Sequence, residues 1–380
     1  MISIPDCKRF TGYKPCEPYK NCLDCSERIP FGTRILIINL DALGDVLVTT
    51  ATLAAIKRKY PTSTIHWLTK ANAEPLLINN PLLDKIWIWN EDSRLILAEM
   101  EFDILFNADK NQNSCAFVNC VSALVKYGFG LNRNGAIIPL NQAAEYNYRM
   151  GLEDLLKFKT NRRSGQDILA ETFEVPYQHD EYVLALTRSE QIEVDLLRRN
   201  YGIGKDDFAI GLNTGCSSKF PNKKLTVAQD IELAKRIKQR LPLVKILLLG
   251  GKEDRDRNAE IAATVDDLAT STPTDEGLRR GILYEAICDL IVSGDSLGMH
   301  IGIALKKYVL AWFGMTSHAE IDLYDRGEKI ISDVPCSPCW SPVCLTGTLE
   351  CIQQLNLDDF VNIVEQTYKM WLKQKGLSED

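Results

Sequence analysis

No apolar run in this sequence approaches the about 20 residues needed to span a bilayer, no tract is of low complexity, and no short repeat recurs. Those absences remove membrane-spanning, fibrous and solenoid classes. An excess of positive charge is missing as well: 44 Lys and Arg face 51 Asp and Glu, a formal net charge of -7. Nucleic acids and anionic membranes need a basic footprint that releases counterions, so neither is expected as a partner. The opening Met1-Ile-Ser-Ile-Pro-Asp-Cys7 has neither the basic nor the apolar region of a signal peptide, and a cytoplasmic location is expected. Gly-x4-Gly-Lys-Ser/Thr is absent, which argues against a P-loop nucleoside triphosphatase.

What is present is an ordinary globular composition, 45% hydrophobic and 25% charged over 380 residues, enough for about two domains. Eight of the twelve cysteines fall in two clusters, and Cys115, Cys120, Cys216 and Cys288 are scattered. Cys7, Cys16, Cys22 and Cys25 fall in a leader, and Cys336, Cys339, Cys344 and Cys351 near the other end. In a reducing cytosol such spacing reads as thiolate ligands, so each cluster is expected to hold a structural zinc or iron; reduced thiols or disulfides are the alternatives. A four-thiolate site is coordinatively closed, so no catalytic metal is expected.

After the leader, Arg34 to Asn39 is a continuous apolar run of strand length, the pattern of a strand buried on both faces. Apolar positions then recur at helical spacing from Val46 until Tyr60-Pro61. Further strands are expected at Ile65–Leu68, Lys85–Trp89 and Asp103–Phe106. Charged helical sequence from about 145 leads to a junction. A second series has strands at Phe208–Asn213, Val244–Leu249, Asp289–Ser293 and Tyr308–Phe313, with helices near 226–239, 254–265, 276–287 and 297–305. Repeated strand and helix alternation predicts an α/β fold of two Rossmann-like domains facing a central cleft. The expected division is a cysteine-rich leader 1–33, an acceptor domain 34–185, a nucleotide-sugar domain 186–355 and a C-terminal helix in 356–380.

Candidate chemistry lies just past the strand ends. After the first strand, Gly44 permits close backbone approach and Asp45 opens a helix, either capping it or serving as a general base. The loop Asn213–Pro221 offers Thr214, Ser217 and Lys219 to diphosphate oxygens. Gly250-Gly251-Lys-Glu253 resembles the arrangement that brings a carboxylate to ribose hydroxyls. Asp295, Ser296 and the first amides of the next helix form an anion site, with His300 one turn on; Asp295 as a cap and His300 as a helix histidine are the plainer readings.

Taken together, RILIINLDALGDVLVTT at 34–50, NTGCSSKFP at 213–221, GGKED at 250–254, VSGDSLGMHIGIALKKYVLAWFGMTS at 292–317 and the trailing CSPC…C…C resemble glycosyltransferase family 9. The resemblance implies a GT-B fold and an inverting transfer from a nucleotide-sugar donor, an ADP-sugar and commonly ADP-heptose, to a saccharide or protein hydroxyl. It implies that Asp45 is the base, that Lys219 contacts the diphosphate and Glu253 the ribose, and that Asp295, Ser296 and His300 form the second phosphate and sugar loop. The family loop reads Asp-Ser-Gly-x-x-His, whereas Leu297 here precedes Gly298. The cysteine leader also departs from the lipopolysaccharide enzymes. Cysteine-bearing relatives include iron-binding protein heptosyltransferases that form large assemblies, which implies a homo-oligomer. Rival readings are a sugar-nucleotide epimerase and a non-catalytic nucleotide-binding or metal-sensing protein.

Overall fold

The computed structural model describes residues 2–377, so Met1 of the expected leader and 378–380 of the expected C-terminal segment lie outside the described residues. Among the described residues, twelve strands form two sheets with the same strand order. In the first, β1 (Thr33–Ile38), β2 (Ser63–Thr69), β3 (Lys85–Ile88), β4 (Glu101–Asn107), β5 (Ser122–Leu131) and β6 (Ile137–Pro139) lie in the order 3-2-1-4-5-6. All pairings are parallel except β5 with β6. In the second, β7 (Ala209–Asn213), β8 (Lys245–Leu249), β9 (Thr270–Ser271), β10 (Leu290–Gly294), β11 (Tyr308–Phe313) and β12 (Gly327–Ile331) run 12-11-10-7-8-9, all parallel. Each order reverses once, beside β1 and beside β7, and ligands of doubly wound sheets lie at such switch points.

The apolar runs explain the layers. Ile35 and Ile37 of β1 enter one buried cluster with Val46, Leu47 and Phe173, while Leu36 and Ile38 point into another with Leu105 and Phe117. The first cluster crosses between the domains: it also contains Ile291, Met299, Ile301 and Phe313. On the far face of the second sheet, Ile210, Leu212 and Val292 pack with Leu233, Phe360 and Val364. The helix Leu357–Lys375 therefore belongs to the second domain, held also by Arg236–Asp358 at 2.8 Å and Arg240–Glu365 at 2.6 Å.

Three differences from the sequence expectation have local causes. The long helix after β1 is two, Leu43–Thr50 and Thr52–Lys59. Thr50 donates to Leu47 O at 2.5 Å and Thr52 to Thr49 O at 2.8 Å; such back-bonding competes with the helical ladder. Strands β5 and β6 were not expected, because only three of the ten residues of β5 are buried and Leu124 is open to solvent, so no long buried run marks it. The edge strand β12, with no residue fully buried, was hidden for the same reason.

Residues 2–32 contain no helix or strand. They dock near the amino ends of β1 and β2, where Lys8 pairs with Asp84 at 2.7 Å and Thr64 donates to Phe31 O at 2.5 Å.

Candidate active site

The switch points place four segments at the carboxyl ends of the central strands: 39–45 after β1, 108–111 after β4, 214–223 after β7 and 295–300 after β10. The first and last meet. A methyl group on Gly44 would stand 2.6 Å from His300 Cδ2 and 2.9 Å from Nε2. Gly44 is thus the residue that lets the helix Leu43–Thr50 abut the helix Leu297–Ala304 of the other domain, bringing two helix N-termini together.

Asp45 is exposed and sits in the first turn of its helix, where Oδ2 accepts the Ala42 N–H at 3.0 Å. That bond fixes the carboxylate without enclosing it; the N-cap itself is Ala42, and Asp45 stands three residues on, bonding back to it rather than capping the helix as expected. Its charge is felt by neighbours from both domains. The His300 imidazolium is disfavoured by burial, against the pull of Asp295 and Asp45. Its Nε2 lies 3.9 Å from Asp295 Oδ1 and its Nδ1 is 3.4 Å from Tyr182 Oη.

Asp295 opposes burial with a partner that the sequence reading missed. Lys223 Nζ lies 3.0 Å from Asp295 Oδ2. Burial pushes the carboxyl up, but Lys223 and then His300 pull it down, and the net direction is below the ordinary carboxylate range. Ser296 occupies the N-cap of the next helix yet makes no cap bond. Its hydroxyl instead accepts from Asn213 Nδ2 at 2.8 Å and lies 3.2 Å from Ser293 Oγ. The first-turn amides are thereby left for an anion. Gly298 admits the Asn213 side chain, which a Cβ would meet at 2.7 Å.

Within 214–223 the three chosen residues separate. Ser217 and Lys219 are exposed, and Ser217 Oγ accepts the Lys219 N–H at 3.2 Å. Thr214 is buried, its hydroxyl bonded to Leu249 O at 3.2 Å and to Asn258. Thr214 therefore ties the loop to β8 rather than facing the cleft. Glu253 Oε2 accepts the Ser218 N–H at 3.2 Å, so the loop after β8 braces the loop after β7.

Two further residues missed from the sequence follow β4. Asp109 is buried and accepts from Asn39 Nδ2 at 2.6 Å and Leu40 N at 2.5 Å, holding the turn that leads to Asp45. Burial raises its carboxyl to about 7, against those two bonds, and Asp45 and Asp41 add to the rise. Lys110 stands walled in by the cleft yet open to water. Enclosure lowers its ammonium to about 8, helped by Lys157 and opposed by Glu320 and Asp45. Glu320, half-buried on the opposite side, is raised mainly by burial and lies 4.0 Å from Lys157. Asp109 and Lys110 directly follow a recognised strand, so their positions were marked in the sequence, but the partners that give them their roles were not.

The cysteines lie apart from these groups. Cys7, Cys16, Cys22 and Cys25 line one leader cavity with Lys20 and Arg28. Glu27 N donates to Cys25 Sγ at 3.4 Å, and amide bonds, first from Ile29, hold the Cys7 thiol below its usual range. In the other cluster, bonds from Thr346 and then Leu349 N lower Cys344 to about 7. Cys351 is raised to about 11 by burial and then by Cys336, Cys339 and Cys344. The donor sets suit thiolate ligation. Among the described residues, however, no group of three or more His, Cys, Asp or Glu side chains is arranged to hold a metal ion, and the cysteines are free. No helix among the described residues is long and apolar enough to cross a membrane.

Residues 94–349 match the sequence profile described as Glycosyltransferase family 9 (heptosyltransferase). The chain is 26% identical over 309 residues to lipopolysaccharide heptosyltransferase 1 of Campylobacter coli, covering 74% of this chain and 84% of that one. Its fold is similar to that of the glycosyl transferase family 9 protein from Veillonella parvula DSM 2008, with TM-score 0.67 and 16% identity over 88% of this chain and 97% of that one. It is also similar to the E. coli heptosyltransferase WaaC with ADP, with TM-score 0.61 and 15% identity over 88% and 100%. The architecture is therefore GT-B.

Proposed function

We propose that this chain, which belongs to glycosyltransferase family 9 (heptosyltransferase), transfers heptose from ADP-heptose with inversion to a hydroxyl of a lipopolysaccharide-type saccharide. The observation that carries the reading is the abutment of two helix N-termini, one bearing the Asp45 carboxylate and the other the uncapped amides beyond Ser296. Asp45 takes the proton of the acceptor hydroxyl as its oxygen attacks the anomeric carbon. The bond from that carbon to the diphosphate breaks on the opposite face, and ADP leaves with the electron pair. Charge growing on the diphosphate is met by Lys219 and by the amides at the start of the helix Leu297–Ala304, groups already oriented before reaction. Glu253, exposed beside the same loop, takes the ribose hydroxyls in this reading. No divalent ion is required in this scheme.

Thermal unfolding with ADP, UDP, GDP and ADP-heptose tests the donor. A ligand at about 100 times its Kd adds roughly 2.7 kcal/mol of stability, so ADP and ADP-heptose should raise the Tm and the others should not. A selective response to UDP or GDP removes heptose from the reading. Conversion of ADP-heptose without any acceptor favours the epimerase, and no response at all favours the non-catalytic binder.

A further inference from the structure

Trp340 is the one large aromatic side chain of the cysteine-bearing segment 336–351, and its surroundings belong to the cleft rather than to the thiols. Its indole is 44% exposed. Over the ring lie two ammonium groups, Lys157 Nζ at 4.2 Å from its centroid and Lys223 Nζ at 5.5 Å, and Phe220 stands 5.6 Å away between centroids. Each of those lysines reaches a cleft carboxylate, Lys223 to Asp295 at 3.0 Å and Lys157 to Glu320 at 4.0 Å. The ring therefore stands where the loop after β7 meets the segment that joins the two domains.

The backbone is built to keep it there. Trp340 has φ +52°, a left-handed conformation uncommon for a bulky residue, and such strain persists only where the surroundings enforce it. The enforcement is visible: Trp340 N and Cys339 N both donate to Met315 O, at 2.8 and 3.2 Å, and Lys159 Nζ donates to Ser337 O at 3.0 Å. Asn222 Nδ2, from the loop after β7, donates to Pro342 O at 3.3 Å on the other flank. A half-exposed indole held in a strained backbone has no role in the core, and the apolar clusters do not include it.

We propose that Trp340 is a specificity-determining residue that stacks against the C–H face of the transferred sugar in the donor. This inference rests on the nucleotide-sugar reading given above. An aromatic ring carries negative charge on its face and so attracts the polarised C–H groups of a pyranose. The source is the donor, because Lys223, which lies over the ring, pairs with Asp295 at the mouth of the anion-binding helix. A sugar extending from a diphosphate held there takes the place of the Lys157 ammonium over the indole face, the lysine stem swinging aside.

Isothermal titration of ADP and ADP-heptose into the wild-type protein, Trp340→Ala and Trp340→Phe tests this. The alanine variant should lose about tenfold in affinity for ADP-heptose, the scale of one good aromatic contact, while ADP affinity stays within about twofold. The phenylalanine variant should recover most of the loss, because the face is retained. Equal losses for ADP and ADP-heptose would assign Trp340 to support of the phosphate loop and overturn the proposal. Unchanged donor binding with a raised KM for the acceptor overturns it in favour of an acceptor contact. Should Trp340→Ala fold poorly, tryptophan emission decides: ADP-heptose but not ADP should quench the wild-type protein, and Trp340→Phe should lack that quench. Failure of wild-type protein to bind ADP-heptose while binding another sugar nucleotide strikes the heptose assignment alone, and the same comparison is then run with that donor and its nucleoside diphosphate.

Discussion

Replacing Gly44 by alanine puts a methyl carbon 2.6 Å from His300 Cδ2, where carbon atoms prefer about 3.5–4.0 Å. One partner must retreat by about 1 Å. His300 is buried between Tyr182 and Asp295 and has little room to do so. Overpacking of this kind costs about 1–3 kcal/mol. Against it, alanine gains about 0.5–1 kcal/mol over glycine in a helix, and the Gly44 backbone is not left-handed, so the net loss of stability is about 2 kcal/mol or less. Activity should suffer more than stability. The displaced contact is the one joining the Asp45 helix to the anion-binding helix, and a misplacement of about 1 Å can cost about 10²-fold in rate. We expect kcat for Gly44→Ala to fall about 10- to 100-fold, with ADP affinity changed by less than about threefold. Thermal unfolding and steady-state transfer are measured on Gly44→Ala, His300→Ala and the double variant. If the clash is the cause, His300→Ala relieves it, and the double variant is more stable than the sum of the singles implies. A Gly44→Ala protein with wild-type kcat and Tm would refute the argument.

Asp45→Ala should cut turnover by at least about 10²–10⁴-fold with donor affinity nearly intact, as loss of a general base does; a fully active variant sinks the assignment. Lys223→Met leaves the Asp295 carboxylate without its closest cation, so stability should fall by about 3 kcal/mol and the acid limb of the rate profile should move to higher pH; an unmoved profile contradicts this. Glu190 is held at about 2, below its ordinary 4.5, chiefly by Arg279, and burial opposes the shift. Because the folded value is the lower one, its contribution is present above pH 4.5 and lost as pH falls toward 2. Arg279→Met should flatten stability across that window, as read by denaturant unfolding at several pH values, and an unchanged slope would count against it. EDTA should leave transfer intact, and elemental analysis of freshly purified, reduced protein should find zinc or iron at the cysteine clusters; metal-free protein ends the second claim.

The sequence made the buried strands and the long amphipathic helices legible, because burial on both faces and a 3.6-residue period leave marks in residue order. Strands with few buried residues, such as β5 and the edge strand β12, leave none. Among site residues, Asp45, Lys219, Glu253, Asp295, Ser296 and His300 could be picked out because each lies in a short polar segment after an apolar run. Thr214 could not be told from its neighbours, since its burial depends on Asn258, 44 positions away. Lys223, Asp109, Lys110 and Glu320 matter through partners on other strands or on the other domain, and pairings of that kind are three-dimensional facts. Gly44 was recognised as a point of close approach, but what approaches is His300, more than 250 residues later.

The hydrophobic cluster shared by both domains has a kinetic consequence. Swinging the halves apart would expose Val46, Leu47, Met299 and Ile301 together, and four such side chains cost on the order of 8 kcal/mol. A state that costly is populated about once in 10⁶, too rarely to serve as the ordinary entrance for substrates. Exchange of ADP for a fresh donor must then run through the stretches that carry no buried residue, 216–222 and 343–349, beside the fixed Trp340. The rate of turnover would be governed by the rearrangement of two loops about a stationary floor, and substitutions in those loops should change product release even where they touch no reacting atom.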